Sequence, residues 1–263
     1  MTRILGFPKT VLVFLILIMT GCASTFGWVV HTTSTPLLST SHQYDLWQEK
    51  LAVLTPLTSP GLRGNEAGLG QYLTEVIKKM APGWDIMDDR KVVSLINSQG
   101  LAAEFIRMRL DAEQSHILDR ESLQKIGQSI GVRYVFQPRL AYFTQDTESR
   151  WTVPAVNLRL IQTQVSTMRL TLQLWDTTSG ELLWTSAAEA NMQKDTFSQT
   201  PVFLEENAKI ALAGMLTDLL DKKTSSKYTP VNRFIHKLMD SNNRTGSESG
   251  NKQEKDQDVK LEE

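Results

Sequence analysis

Apolar and polar positions change rhythm several times along the 263 residues, and each rhythm predicts an element. An unbroken apolar run, Val11 to Met19, comes first and is too short to span a bilayer as a helix. Leu51-Ala52-Val53-Leu54 is a short continuous apolar run ending at Pro56, the pattern of a strand buried on both faces. Leu69, Leu73, Val76, Ile77 and Met80 then recur at helical spacing, with Asn65 available as a cap and Pro82-Gly83 as a stop. Trp84 to Met87 reads as a second short strand. Val92, Leu95 and Ile96 mark a helix ended by Gly100, and Leu101, Phe105 and Met108 mark the next. Leu123, Ile126 and Ile130 mark another, closed by Gly131.

Val132 to Phe143 follows as a strand, in which Pro138 signals an edge or a bulge. The clearest alternation is Met168, Leu170, Leu172 and Leu174 against Thr167, Arg169, Thr171 and Gln173, which predicts one buried and one wet face. Asp176 to Gly180 is a turn, and Glu181 to Ala190 its hairpin partner. Leu204, Ala208, Ala211, Met215 and Leu219 form the inner stripe of a long final helix. The predicted order is β-α-β-α-α-α-β-β-β-α, an α+β fold with one mixed sheet and an antiparallel meander at its later edge.

The apolar run at the start acquires a meaning from its flanks. Arg3 and Lys9 precede it, and Thr20-Gly21-Cys22 follows, as in a secretory signal with a small-residue cleavage site. Cys22 is the only cysteine in the chain. Its position resembles the lipobox of bacterial lipoproteins, with Met19 where that motif prefers leucine. The resemblance implies a diacylglycerol-modified, N-acylated Cys22 as the mature N-terminus, with no other cofactor. Ala23, not aspartate, follows it, so the resemblance implies sorting to the periplasmic face of the outer membrane. An ordinary secreted protein with a free thiol is the competing reading.

Residues 1–21 are then the signal peptide and 22–48 a lipidated tether, Ser/Thr-rich with Pro36. Within it Phe26, Trp28, Val29 and Val30 are apolar, and either sit at the lipid interface or pack on the domain. Residues 49–223 are the single globular domain. Thr229-Pro230, Val231, Phe234, Ile235 and Leu238 predict an amphipathic helix within 224–240, and the polar residues 241–263 a disordered tail. Removing 1–21 takes away two cations and leaves 26 against 29 anions, net −3. Such a charge argues against nucleic acid as partner. With its one thiol taken by lipid, the domain relies on its core and not on disulfides.

Three stretches resemble the periplasmic domain shared by the TolB N-terminal region and the CsgG group, which includes LpoB and PelC. They are Leu51 to Pro56 as first strand, Ile126 to Gln137 as helix into strand, and Leu172 to Ser186 as hairpin. The resemblance spans about Lys50 to Lys222. It implies a non-catalytic, lipid-anchored assembly or scaffolding protein of the envelope, serving an export, flagellar or cell-wall machine through protein contacts. A subunit of a CsgG-like outer-membrane secretion channel is the alternative.

Candidate chemistry is sparse. His31, His42, His116 and His236 lack metal-ligand spacing, and no nucleophile motif is present. Asp88-Asp89 offers paired carboxylates, but a place between strand and helix favours capping. Gly61 to Gly70 lies where phosphate loops sit, yet lacks their Gly-Lys-Ser/Thr ending; Arg63 there offers an anion site. Trp175 and Trp184 flank the turn, and cross-strand aromatic packing is preferred to sugar stacking. No metal, cofactor or catalytic residue is therefore expected.

Tyr142 to Ser166 fits a small domain least. Val156, Leu158 and Leu160 alternate in phase with Met168 to Leu174, while Thr144 to Arg150 is polar. Two readings stay open: a two-stranded arm that adds to a partner or to a second copy of the chain, or a loop folded back on the sheet. The candidate contacts are Arg150, Trp151, Val156, Leu158 and Leu160, with Phe234 and Leu238 from the amphipathic helix.

Overall fold

The computed structural model describes residues 26–38, 46, 48–64, 66, 68–153, 158–196 and 204–230. Its strands are β1 (Phe26–Ser34), β2 (Lys50–Val53), β3 (Leu57–Thr58), β4 (Asp85–Met87), β5 (Tyr134–Val153), β6 (Leu158–Asp176), β7 (Leu182–Thr196) and β8 (Ser225–Tyr228). Its helices are α1 (Leu69–Met80), α2 (Asp89–Ser98), α3 (Ala102–Ser115), α4 (Arg120–Ile130) and α5 (Leu204–Asp221). The strands form one sheet in the order β4-β2-β5-β6-β7-β1-β8, with β3 also beside β5. β4, β2, β3 and β5 pair in parallel, and β5 to β8 pair antiparallel. The fold is the expected α+β arrangement of helices on a mixed sheet with a meander.

Helices cover both faces at β2, which explains its unbroken apolar run. Leu51 and Val53 belong to one core with α1 and α5, while Ala52 and Leu54 belong to the other with α2, α3 and α4. The meander is covered differently. Met168, Leu170, Leu172 and Leu174 are buried under α5, and the alternate residues Arg169, Thr171 and Gln173 face the other way. Gly131 closes α4 in the left-handed conformation at φ 68°, which a residue with a side chain adopts only at a cost. Inside α4, a Cβ at Gly127 would lie 2.3 Å from Thr177, so glycine there lets the helix approach the β6–β7 turn.

The chain before Glu49 is not all tether. Phe26–Ser34 is a full strand between β7 and β8. Trp28, Val30, Thr32 and Ser34 point inward and are buried, while His31 and Thr33 are exposed. This alternation is hard to see because two of its inward residues carry hydroxyls. Of the two readings left open for Trp28 and Val30, packing on the domain is the one observed. Ser225–Tyr228 is likewise a strand and not the start of a helix. The domain therefore extends past both expected limits, 49 and 223. The rest of the expected helix, with Phe234 and Leu238, and the tail 241–263 lie outside the described residues.

Three smaller expectations also change. Gly68, not Asn65, is the N-cap of α1, and Asn65 lies outside the described residues. Pro138 sits neither at an edge nor in a bulge. The Phe136 carbonyl accepts from Leu54 N at 2.9 Å, so residue 138 faces the same flank, in the gap between the β2 and β3 pairings, where no N–H is required. The bulge comes after it, between Leu140 and Tyr142. Trp175 and Trp184 do not pack together, because they fall on opposite faces and each enters a different core.

Helix α5 shows more than its predicted stripe, since residues 207–216 are all buried. Lys209 lies between α5 and α1, 2.7 Å from Glu75 and 2.5 Å from Glu205. Burial alone would lower its ammonium, but the bonds to Glu205 and Glu75 outweigh burial and hold it above its ordinary value. Asp218, fully buried near the other end, accepts from Ser226 Oγ at 2.7 Å and Tyr228 Oη at 2.6 Å. Ser34 Oγ donates to it at 3.1 Å and accepts from Ser186 at 2.8 Å. Burial, followed by the bond to Asp218, raises the Tyr228 phenol well above its ordinary range.

Replacing Asp218 with Ala strips the acceptor from three hydroxyls on β1 and β8. Urea denaturation should show a loss of about 3 kcal/mol. Asp221→Ala, on the exposed last turn, should stay within about 0.5 kcal/mol of the parent.

Candidate interaction surface

Strands β5 and β6 continue past the body of the sheet as one hairpin, paired without interruption of the ladder's sense from Tyr134↔Asp176 to Val153↔Leu158. A folded-back loop is therefore excluded for its paired residues. The two-stranded arm, the other reading left open over Tyr142 to Ser166, is only partly what forms. β7 flanks β6 as far as Thr196↔Gln162, and β1 flanks β7 as far as Phe26↔Lys194. The stem thus belongs to a four-stranded sheet. Only the rows beyond Gln162 stand as two strands, with register shifts at Ser149/Trp151 and Trp151/Thr152. β7 runs six residues past the expected Ala190, which is what the shorter reading missed.

The flanks of β5 are unequal. On the inner side β6 pairs with it to the end. On the outer side β3 stops at Thr58↔Leu140, and no described strand pairs with β5 beyond that point. Backbone direction follows from the bulge. Leu140 still presents its carbonyl outward, accepting from Ser59 N at 3.3 Å. The extra residue then inverts the alternation, so Tyr142, Thr144 and Asp146 bond to β6. Phe143, Gln145 and Thr147 turn their N–H and C=O groups outward. Unpaired edges of this length are templates for strand addition. β4 and β8, at the ends of the sheet, have only three and four residues.

The base of the stem is braced on its open face. Arg169 bonds Glu189 at 2.7 Å and lies over the Tyr142 ring at 5.6 Å. Thr167 donates to Asn191 at 2.8 Å. The Arg169 bond, then that of Asn191, holds the Glu189 carboxyl below its ordinary range. These contacts are largely exposed and add little stability, but they join the register of β5, β6 and β7.

Arg150 and Trp151 fall on β5, and Leu158 and Leu160 on β6, so the structure brings these four candidates to one end of the hairpin. Cys22, Val156, Phe234 and Leu238 lie outside the described residues. Elsewhere, Asp88 caps α2 by accepting from Lys91 N at 2.9 Å, as its position suggested. Burial, with the Asp88 charge adding to it, raises the Asp89 carboxyl. Both line a cleft of about 310 Å³ with Gln71, Glu75 and Lys78. Arg63 pairs with Glu113 at 3.3 Å. His31 lies on the exposed face of β1 and His116 ends α3 beside Arg139, well separated in the fold. No group of three metal-capable side chains occurs among the described residues.

The outer edge of β5 was not visible in the sequence, although Leu57-Thr58 ending at Ser59-Pro60 signals how short its neighbour is.

No family model matches this chain, and no curated protein sequence matches it. Among solved structures, lipoprotein GNA1162 from Neisseria meningitidis is similar over 66% of this chain and 96% of its own, at 15% identity and TM-score 0.39. A PelC dodecamer from Paraburkholderia phytofirmans is similar over 73% of this chain and 96% of its own, at 16% identity and TM-score 0.31. The LpoB C-terminal domain from Salmonella enterica covers 54% of this chain and 81% of its own, at 16% identity and TM-score 0.32.

Hydrogen exchange gives a direct check on the β5 edge. The amides of Tyr142, Thr144 and Asp146 should be protected, while those of Phe143, Gln145 and Thr147 should exchange at least tenfold faster. Uniform protection along 142–147 would mean that something pairs with the outer edge in the isolated protein.

Proposed function

We propose that this chain is a lipid-anchored, non-catalytic envelope protein that holds a protein partner by strand addition at the outer edge of β5. The observation that carries the reading is the asymmetry of that strand, fully paired on one flank and open on the other beyond Leu140 among the described residues. Main-chain bonding supplies affinity in such additions, and the alternating side chains supply selectivity. The lipoprotein signal ending at Cys22 supports the envelope address, with the outer membrane as the expected side. Cys22 would carry the lipid, and two or more acyl chains make such an anchor stable.

The channel reading is the weaker of the two. Residues 144–153 and 158–167 are long enough for membrane strands, which need about nine to eleven residues. Their composition is wrong for that use. Thr144 to Ser149 contains no apolar residue, and Val165 is the only one between Gln162 and Thr167, so no lipid-facing apolar band can form. No helix among the described residues is long and apolar enough to cross a membrane, which leaves the lipid as the proposed attachment.

Two substitutions test the halves of this proposal separately. Thr147→Pro removes an outward N–H without touching the β5–β6 ladder. Crosslinking of the protein to its envelope partner should fall at least tenfold, with thermal unfolding little changed. Asp146→Pro, which removes an inward N–H, should lower stability instead. Unchanged crosslinking in the folded Thr147→Pro protein would eliminate the edge as the contact. For the anchor, Cys22→Ser should abolish incorporation of labelled palmitate, and label retained in that variant would place the lipid elsewhere.

A further inference from the structure

The register of the sheet relates the tip of the β5–β6 hairpin to the membrane anchor. Phe26 pairs with Lys194, Lys194 with Gln164, and Gln164 with Thr147. Phe26, the first described residue of β1, therefore lies level with Thr147 in the hairpin stem. It is also only four residues after Cys22. Four residues span at most about 14 Å when fully extended. Beyond the level of Phe26 the hairpin adds five paired rows, from Glu148↔Thr163 to Val153↔Leu158, or roughly 17 Å. β1 runs away from that end, so its N-terminal residue, Phe26, lies at the side where the hairpin projects.

The composition of the rows changes at the same place. Through Ser149↔Gln162 the stem is polar, with Asp146 and Glu148 in it. Past the last residue of β7 the rows become Trp151↔Ile161, Thr152↔Arg159 and Val153↔Leu158, with Arg150 and Leu160 at the register shifts. The two-stranded tip thus returns to mainly apolar residues beyond the polar stem. The tryptophan and the two arginines among them are residues that bilayer interfaces accept.

We infer that the tip of the β5–β6 hairpin inserts into the lipid leaflet that holds Cys22, as a second, non-covalent attachment to the membrane surface. This rests on the proposed lipidation of Cys22. With the four linking residues fully extended, the tip already reaches about 3 Å past the level of the anchor, and any slack drives it deeper. Three rows correspond to about 10 Å, the depth of an interfacial element and far short of a crossing. The attachment orients the molecule. It sets the strands steeply to the membrane and leaves the open β5 edge beside the stem free for a partner.

The test uses the full lipidated protein in vesicles of phosphatidylethanolamine and phosphatidylglycerol. With Cys22 acylated, a thiol introduced by Trp151→Cys, Leu158→Cys or Ile106→Cys is the only one available for an environment-sensitive fluorophore. Ile106 is 55% exposed on α3, over the opposite half of the fold, and serves as the aqueous reference. Labels at 151 and 158 should shift to the blue on vesicles and be quenched several-fold more than the label at 106 by nitroxide-bearing lipids. Equal quenching at all three sites, in palmitoylated protein that stays with the vesicles, would overturn the inference and leave the anchor intact. A blue shift at 151 and 158 without vesicles would show the tip buried by a second copy of the chain, and would overturn it as well. Absence of palmitate on Cys22 would remove the anchor and the inference together.

Discussion

Asp218 is a buried carboxylate that no cation approaches among the described residues, and the outer half of the sheet is built around it. Its position near the C-terminal end of α5 makes matters worse, because a negative charge there opposes the helix dipole. Leaving such a group without partners would cost several kcal/mol. Three hydroxyls meet it, from Ser34, Ser226 and Tyr228. Two of these belong to β8 and one to β1, so satisfying the charge requires both strands to be in place. The carboxylate thereby ties the chain's first and last described strands to one helix.

The same helix explains why those strands are needed. α5 is apolar well beyond the stripe that faces the meander, and Ile210, Leu212, Ala213 and Leu216 are as buried as Ala208 and Met215. A sheet ending at β7 would leave part of that surface in water. β1 and β8 extend the floor beneath it, α1 packs at its side, and Lys209 joins the two helices through Glu75 and Glu205. Burial of α5 and placement of β1 are one constraint seen from two sides.

Placing β1 has a functional consequence. Once β1 pairs with β7, its first residue, Phe26, lies toward the hairpin's end of the sheet, and the proposed lipid on Cys22 would share that pole with the hairpin tip. α2, α3 and α4 cover the other face over β2 and β5. Among the described residues the β5 edge remains open between these two regions, near the proposed membrane pole but not at it. The levels of β1, tip and edge are set by strand register.

Much of this architecture was legible in the residues. The double-sided burial of Leu51 to Leu54, the amphipathic stripes of α1 and α4, the alternation of Met168 to Leu174 and the cap at Asp88 all express local rules, because each depends on neighbours a few positions away. What the residues alone left undecided depends on distant partners. Thr32 and Ser34 look like linker residues until Ser226 and Asp218, nearly two hundred positions later, supply their bonds. The level of Phe26 against Thr147 is the outcome of three successive pairings. Among the described residues, the flank of β5 beyond Leu140 is open because β3, which lies beside it, is short. Hydrophobic pattern selects an element's type and its buried side, whereas pairing partner and register emerge from contacts between segments that no local pattern connects. In this protein the elements, and the proposal of an envelope address, came from sequence. The level of β1 against the hairpin, and the edge of β5 that is free among the described residues, were decided by tertiary pairing.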